Sequence, residues 1–218
     1  MNILAIDTCT EVASVTLYSS NVKTTRVLTD IAKSSGYILK LCDEVFKEAG
    51  NNLQEVDFIS YTKGPGAFTG VRMCVGVVQG LSLSCGIPTL GFSTLELLAF
   101  RASKILKKDK IATAIDARMG EVYWAVYDNG SISNMRICKP ENVDNLGASF
   151  VGVGSGWKVH NDELIKASKI NHTDSNIYPE STDLIDLSLL AIESGQKATF
   201  DLPQPIYLRN NVAQKSLK

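Results

Sequence analysis

Two aspartates close matching apolar runs in this chain, Ala5-Ile6-Asp7 and Ala114-Ile115-Asp116. Thr8-Cys9-Thr10-Glu11 follows the first, and Ala117-Arg118-Met119-Gly120-Glu121 follows the second. A carboxylate at the end of a strand, followed by a tight turn, can do phosphate chemistry. The carboxylate holds a metal, successive backbone N–H groups face the anion, and a threonine adds a hydroxyl. Glycine permits the close approach. The first turn has no glycine, and the second has one, Gly120, beside the bulky Arg118. Both read as degraded phosphate cradles. Asp7, Thr8, Thr10, Asp116 and Arg118 are the residues of the two turns that could meet such a group. The competing reading is that both aspartates tie down hairpin backbones through local hydrogen bonds.

A second constellation is Gly64-Pro65-Gly66-Ala67-Phe68-Thr69-Gly70-Val71-Arg72. Two glycines around a proline impose an abrupt turn, and Gly70 is expected to enter a helix N-terminus, a natural anion site. Thr69 is a candidate cap for that helix. Arg72 sits against the helix dipole, which suits a carboxylate or phosphate partner. The bland alternative is a strand-to-helix turn that uses glycine for geometry alone. Along the next helix, Gly76, Gly80 and Ser84 recur every four residues, a stripe that lets another backbone approach closely. Its partner is either this protein's own sheet or another chain.

Other chemistries are disfavoured. The two histidines, His160 and His172, are twelve residues apart and read as surface or loop residues. Cys9, Cys42, Cys74, Cys85 and Cys138 are odd in number and lack a two-residue spacing, so they read as reduced apolar side chains. No His-Glu-x-x-His or Gly-x-Ser-x-Gly occurs, and Gly154-Ser155-Gly156 has no readable His and acid beside it. Protease activity is not expected.

Three β-prone runs, Ile3 to Asp7, Val12 to Tyr18 and Val22 to Leu28, predict an antiparallel meander. Tyr37, Ile38, Leu41, Cys42, Val45, Phe46 and Ala49 then recur at helical spacing, from after Ser34-Ser35 to Gly50. That stripe covers more of the helix than one sheet contact needs, so Tyr37, Ile38, Leu41 and Val45 are candidates for a partner interface; full burial is the alternative. A strand over Val56 to Thr62, a helix over Val71 to Cys85, a short strand over Ile87 to Leu90 and a helix opened by the capping box Ser93-Thr-Leu-Glu96 complete the unit. From Ala114 the order repeats. A strand over Glu121 to Tyr127, an Asp128-Asn129-Gly130 turn and a strand over Ser131 to Cys138 come first. The run Ser149 to Val153 and helices over Val159 to Ser168 and Thr182 to Ser194 come next. This predicts a tandem-duplicated α/β protein of mixed sheets flanked by helices. The expected division is 1–103 and 104–218, the second part ending in a mobile tail with Arg209, Lys215 and Lys218.

A duplicated unit opening with Ile-Asp-x-x-Thr resembles the actin, sugar-kinase and heat-shock ATPase superfamily, in which paired hairpins hold nucleotide phosphates across a cleft. The resemblance implies vestigial nucleotide contacts at Asp7, Thr8, Thr10, Asp116 and Arg118, with Gly154 in the turn that holds adenosine. More specifically, Lys63-Gly-Pro-Gly-Ala-Phe-Thr-Gly-Val-Arg72, Gly86-Ile-Pro88, Ser93-Thr-Leu-Glu96, Asp116-Ala-Arg-Met-Gly-Glu-Val-Tyr123 and Tyr207-Leu-Arg209 together resemble the bacterial TsaB family, also called YeaZ. The resemblance runs from Ile3 to about Ala213. It implies a duplicated ribonuclease-H-like fold without its own catalytic site or cofactor. It also implies pairing with the paralogue TsaD, which transfers threonylcarbamoyl to the adenosine beside the tRNA anticodon, and a complex joined by the ATPase TsaE. In that family the first two helices form the surface shared by homodimer and heterodimer. A TsaD-like enzyme holds its metal through two histidines four apart on the first helix; none stands there in this chain, and Lys40 replaces a proline frequent in the family.

With 22 Lys plus Arg against 23 Asp plus Glu, the chain lacks the basic balance of a free-standing nucleic-acid binder. Lys104, Lys107, Lys108 and Lys110 form its one short basic cluster, so tRNA is expected to be met only indirectly. The N-terminus does not read as a signal peptide and no uncharged apolar run reaches membrane-spanning length, so a cytoplasmic protein away from membranes is expected. The runner-up function is a self-sufficient nucleotide-dependent phosphotransferase or ATPase.

Overall fold

A computed structural model describes residues 1–29 and 36–209. The meander forms as expected: β1 (Ile3–Asp7), β2 (Ala13–Ser19) and β3 (Val22–Leu28) pair antiparallel. Ser20 and Asn21 turn β2 into β3 with both residues left-handed, the twist that tight hairpins favour. β4 (Phe58–Thr62) and β5 (Thr89–Phe92) then add parallel to β1, giving the order β3-β2-β1-β4-β5. The central strands β1 and β4 are buried at every position. Period-two alternation explains this. Leu4 and Ile6 face a core shared with α1 (Ile38–Ala49) and α2 (Phe68–Cys85), while Ile3 and Ala5 face Leu184 and Ile185 of α6 (Ser181–Glu193).

The second sheet repeats the first. β6 (Lys110–Asp116), β7 (Val122–Asp128), β8 (Ser131–Cys138), β9 (Val151–Val153) and β10 (His172–Asp174) stand in the order β8-β7-β6-β9-β10. Tyr18 pairs with Ile3 and Tyr127 with Ile111, so the two hairpins are equivalent although the second loop is one residue shorter. One face is covered by α3 (Thr94–Leu106); on the other, Trp124 of β7 packs with Trp157 and α5 (Asn161–Ser168).

The covering helices are exchanged. α3 comes from the first half and packs on the second sheet; α6 comes from the second half and packs on the first. A boundary at 103/104 therefore falls inside α3. Arg101 and Lys104 of α3 pair with Asp183 of α6, Arg101 also with Glu180, and Asp186 takes Lys104 and Lys23. Lys104 is thus committed within the fold, which removes it from the basic cluster read in the sequence.

Several local expectations are corrected. α2 begins at Phe68 with Ala67 as its uncapped N-cap, so Thr69 and Gly70 lie inside the first turn and Thr69 caps nothing. The helix expected over Val159 to Ser168 breaks at His160 into α4 (Gly156–Val159) and α5. The Ser34-Ser35 helix start lies outside the described residues, as do Lys215 and Lys218. Arg209 is no mobile residue: its guanidinium pairs with Glu121 at 2.7 Å and donates to the carbonyl of Ala117 at 3.0 Å. α2 is, by length and composition, the one helix among the described residues apolar enough to cross a membrane, although it contains the charged Arg72. It lies on the first sheet through Val71, Cys74, Val75 and Val78.

The sequence reading missed the C-terminal strap. Thr199 bridges Thr89 at the β5 edge, Gln79 donates to the Pro203 carbonyl at 2.7 Å, and the Ile206 N–H donates to Lys63 O at 2.6 Å. Arg72 Nε donates to the Tyr207 hydroxyl at 3.0 Å. Residues 72 and 79 lie two turns apart on α2 and meet residues 207 and 203. The strap therefore runs antiparallel along α2 and ends on the second hairpin through Arg209.

Candidate functional site

The loop between β4 and α2 closes over the β1–β2 hairpin. A Cβ on Gly66 would lie 2.0 Å from the Cys9 carbonyl oxygen, and one on Gly70 would lie 2.1 Å from that of Thr8. Ala67 N–H donates to Cys9 O at 2.8 Å, and Thr8 Oγ1 donates to Gly70 O at 2.6 Å. The N-terminus of α2 thus meets hairpin backbone, not an external anion. Gly64 is left-handed and lies under Ile206 of the strap, and Pro65 follows through a cis peptide. Glycine is used here for close packing, the bland reading of the motif.

Asp7 is sealed beneath this roof, fully buried. Its Oδ1 accepts hydrogen bonds from the Thr62 hydroxyl and from the Cys9 N–H, and its Oδ2 has no partner. Burial pushes the carboxyl up to about 6 against the pull of those two bonds. Neither Asp7 nor Thr8 reaches the space between the hairpins. Thr10 does: it is 5% exposed, and its Oγ1 has no partner.

The second hairpin is open. Asp116 accepts from the Arg118 N–H at 3.0 Å and pairs with the Arg118 guanidinium at 2.9 Å. Arg118, Met119 and Gly120 are all left-handed, and the Arg118 and Met119 side chains project outward. His160 stands in the break between α4 and α5, a loop position as expected, but not at the surface. Its ring is largely buried, with Nε2 3.7 Å from Asp116 Oδ1 and no hydrogen-bond partner. Ser155 lies here too, its Oγ accepting from the Asp116 N–H at 3.2 Å. A serine, a histidine and an acid therefore do gather around Gly154, contrary to the sequence reading. Among the described residues no hydrogen bond joins Ser155 to His160, so the hydroxyl has no general base. Gly154 itself is left-handed against the Ala114 carbonyl, and a Cβ on Gly152 would strike the Trp157 indole at 2.4 Å. The glycine turn expected to hold adenosine is packed from within.

The partner stripes divide. Gly76, Gly80 and Ser84 face outward, with nothing within 4 Å of a Cβ built at either glycine. They do not pack on the sheet. Leu83 beside them is 73% exposed, and Phe68 and Arg72 extend the same helix surface toward the strap. On α1, Ile38, Leu41 and Val45 instead fill the protein's own core, which corrects their assignment to an interface; Tyr37 and its neighbour Leu39 remain exposed. The helix needs most of its apolar stripe for the sheet.

Two mixed sheets of identical strand order, paired about a cleft between equivalent hairpins, define a duplicated ribonuclease-H-like protein of the actin, sugar-kinase and heat-shock ATPase superfamily. Residues 31–200 match the family model described as TsaD: tRNA N6-adenosine threonylcarbamoyltransferase. A tRNA threonylcarbamoyladenosine biosynthesis protein TsaB from Escherichia coli is 34% identical over all of this chain and 98% of its own length. The Haemophilus influenzae TsaB is 32% identical over all of this chain and 97% of its own. Among solved structures, YeaZ from Pseudomonas aeruginosa superposes with a TM-score of 0.84 at 32% identity, over 94% of this chain and 100% of that one. The chain belongs to the TsaB (YeaZ) family.

Proposed function

We propose that this chain acts in tRNA threonylcarbamoyladenosine biosynthesis as a non-catalytic partner of a TsaD-like transferase. The observation that carries the non-catalytic part is the sealed Asp7. A carboxylate with no exposure, roofed by Gly66 and Gly70 and bonded to Thr62, cannot reach a metal–phosphate group. The outward Gly76, Gly80 and Ser84 stripe supports the partner part, because small side chains on an exposed helix admit a second helix at close range. In this reading the TsaD-like paralogue occupies that face, a TsaE-like ATPase joins the assembly, and a homodimer through the same face competes with the heterodimer. The protein needs no cofactor or membrane and works in the cytoplasm.

Nucleotide turnover separates this reading from the phosphotransferase alternative. The isolated chain is expected to hydrolyse ATP with Mg²⁺ no faster than buffer. Substantial hydrolysis that Asp7→Ala abolishes would establish the alternative instead.

tRNA enters this reading only through the partner. With Lys104 held by Asp183 and Asp186, the basic cluster shrinks to Lys107, Lys108 and Lys110. Few phosphate contacts mean weak, salt-sensitive binding. Filter binding at physiological salt is expected to give a Kd for the isolated chain weaker than about 10 μM. Tighter binding would relocate the RNA contact to this subunit.

A further inference from the structure

The exchanged helices join the two halves on one side of the molecule. Arg101 and Lys104 of α3 meet Glu180, Asp183 and Asp186 of α6, and none of these residues borders the cavity of about 1010 Å³ between the hairpins. Across that cavity, among the described residues, no hydrogen bond or ion pair runs from the Cys9–Glu11 turn to the Ala117–Glu121 turn. The strap crosses this open side, with Ile206, Tyr207 and Arg209 in the cavity wall.

Pro203 and Pro205 fix their own φ and carry no N–H, which keeps this segment extended and out of a helix. It is held to the first half in succession. Thr199 exchanges backbone bonds of 2.7 and 2.9 Å with Thr89, Pro203 O accepts from Gln79, and the Ile206 N–H donates to Lys63 O. Tyr207 takes the Arg72 Nε and lies with its ring centroid 6.4 Å from that of Phe68. Two residues on, Arg209 crosses to the second half. Its Nη2 lies 2.7 Å from a Glu121 carboxylate oxygen, 3.0 Å from Ala117 O and 3.3 Å from Arg118 O. Arg118, Met119 and Gly120 are all left-handed, so the turn directs its carbonyls to one place and forms a socket for a cation. The Arg209 side chain is 18% exposed there, whereas that of Arg118, paired with Asp116 on the same turn, is 85% exposed. The first is a seated, charge-assisted contact; the second is a surface pair of little weight.

We infer that the strap is a clasp across the mouth of the cleft. Anchored on the first half from Thr199 to Tyr207, it catches the second hairpin through Arg209 and holds the two halves at one opening. Released, it lets them hinge about the contact between α3 and α6. The open side has no other polar tie between the two turns, so the catch sets how far apart they stand.

The distance between the halves tests the clasp. Glu11, exposed in the first hairpin, and Lys139, exposed just after the β8 residue that pairs with Val122, stand at the cleft ends of their sheets. A ketone-bearing amino acid at each position, conjugated to a nitroxide, leaves the five cysteines untouched. Pulsed electron double resonance on the full chain should give one narrow distance for wild type. Arg209→Ala removes the catch and should raise the fraction of molecules at longer distances about tenfold, the weight of a charge-assisted bond. Tyr207→Ala loosens the other end and should shift the distribution the same way by less, because the Ile206 backbone bond remains. Arg118→Asn suits the left-handed backbone, removes only the surface pair, and should leave the distribution as in wild type. Melting curves establish that each variant is folded at the temperature of measurement; Gln79→Ala replaces Tyr207→Ala if the latter does not fold. A folded Arg209→Ala protein with the wild-type distribution, or a wild type already as broad as Arg209→Ala, would overturn the clasp.

Discussion

Gly70→Ala is expected to leave little folded protein. The added methyl would sit 2.1 Å from the Thr8 carbonyl oxygen, and Gly66→Ala would sit 2.0 Å from that of Cys9. Both obstacles are backbone, so no rotamer change relieves them. Moving the hairpin away would break the Thr8–Gly70 and Ala67–Cys9 hydrogen bonds and disturb the bonds that hold Asp7. The combined cost is on the order of 3–5 kcal/mol, a large part of a typical domain's stability. Gly76→Ala and Gly80→Ala, in the same helix with open space around them, are the internal controls. They should leave stability unchanged or raise it by about 0.5–1 kcal/mol. Chemical denaturation of the four variants compares these directly. A Gly70→Ala protein as stable as wild type would mean that the loop does not seal the hairpin.

Asp7 should make the protein less stable at neutral pH than at pH 5. Its folded pKa, about 6, lies above the ordinary carboxylate value of 3.8 because burial penalises the charge. The stabilising contribution is therefore fully present below about pH 4 and is lost as pH rises through about 6. The rise from 3.8 to about 6 corresponds to about 3 kcal/mol, and full burial leaves no solvent screening to discount it. Asp7→Asn retains an oxygen to accept the Cys9 N–H and has no charge to bury. Urea unfolding between about pH 4.5 and 7.5 should show wild type losing about 2–3 kcal/mol relative to the variant. Parallel profiles would show that Asp7 is hydrated and reachable, reopening a catalytic reading.

The duplicated order was legible because each half keeps its own local signals: alternating apolar residues and the Ala-Ile-Asp strand end, with an Asp128-Asn129-Gly130 turn in the second. The site was legible as residue types but not as an enclosure. Gly66 and Gly70 looked able to admit a phosphate, and only their distance to the Thr8 and Cys9 carbonyls shows that the space is taken. Helical periodicity revealed the α1 stripe but not which neighbour it faces, so Ile38, Leu41 and Val45 looked available when they fill the core. The exchange of α3 and α6 between sheets carries no local signature, since either helix is apolar enough for either sheet. His160 and Asp116 meet through a break after α4 that periodicity ran across. The strap has almost no regular structure. It is held by single bonds from Gln79, Lys63 and Arg72, which no sequence pattern announces.

If the exposed α2 stripe receives a TsaD-like partner, Gly80→Leu tests that docking most directly. Nothing lies within 4 Å of a Cβ at Gly80, so a leucine there has room in the free protein and the melting temperature should hold. Against a closely packed partner helix the same side chain overpacks the contact by about 1–3 kcal/mol, roughly a tenfold to hundredfold loss of affinity. Calorimetric titration of the organism's own TsaD with wild type and Gly80→Leu, with melting curves on both, reads the two quantities together. Weakened binding at unchanged stability is the expected result. A fully folded Gly80→Leu protein that binds TsaD as tightly as wild type would contradict docking through this face.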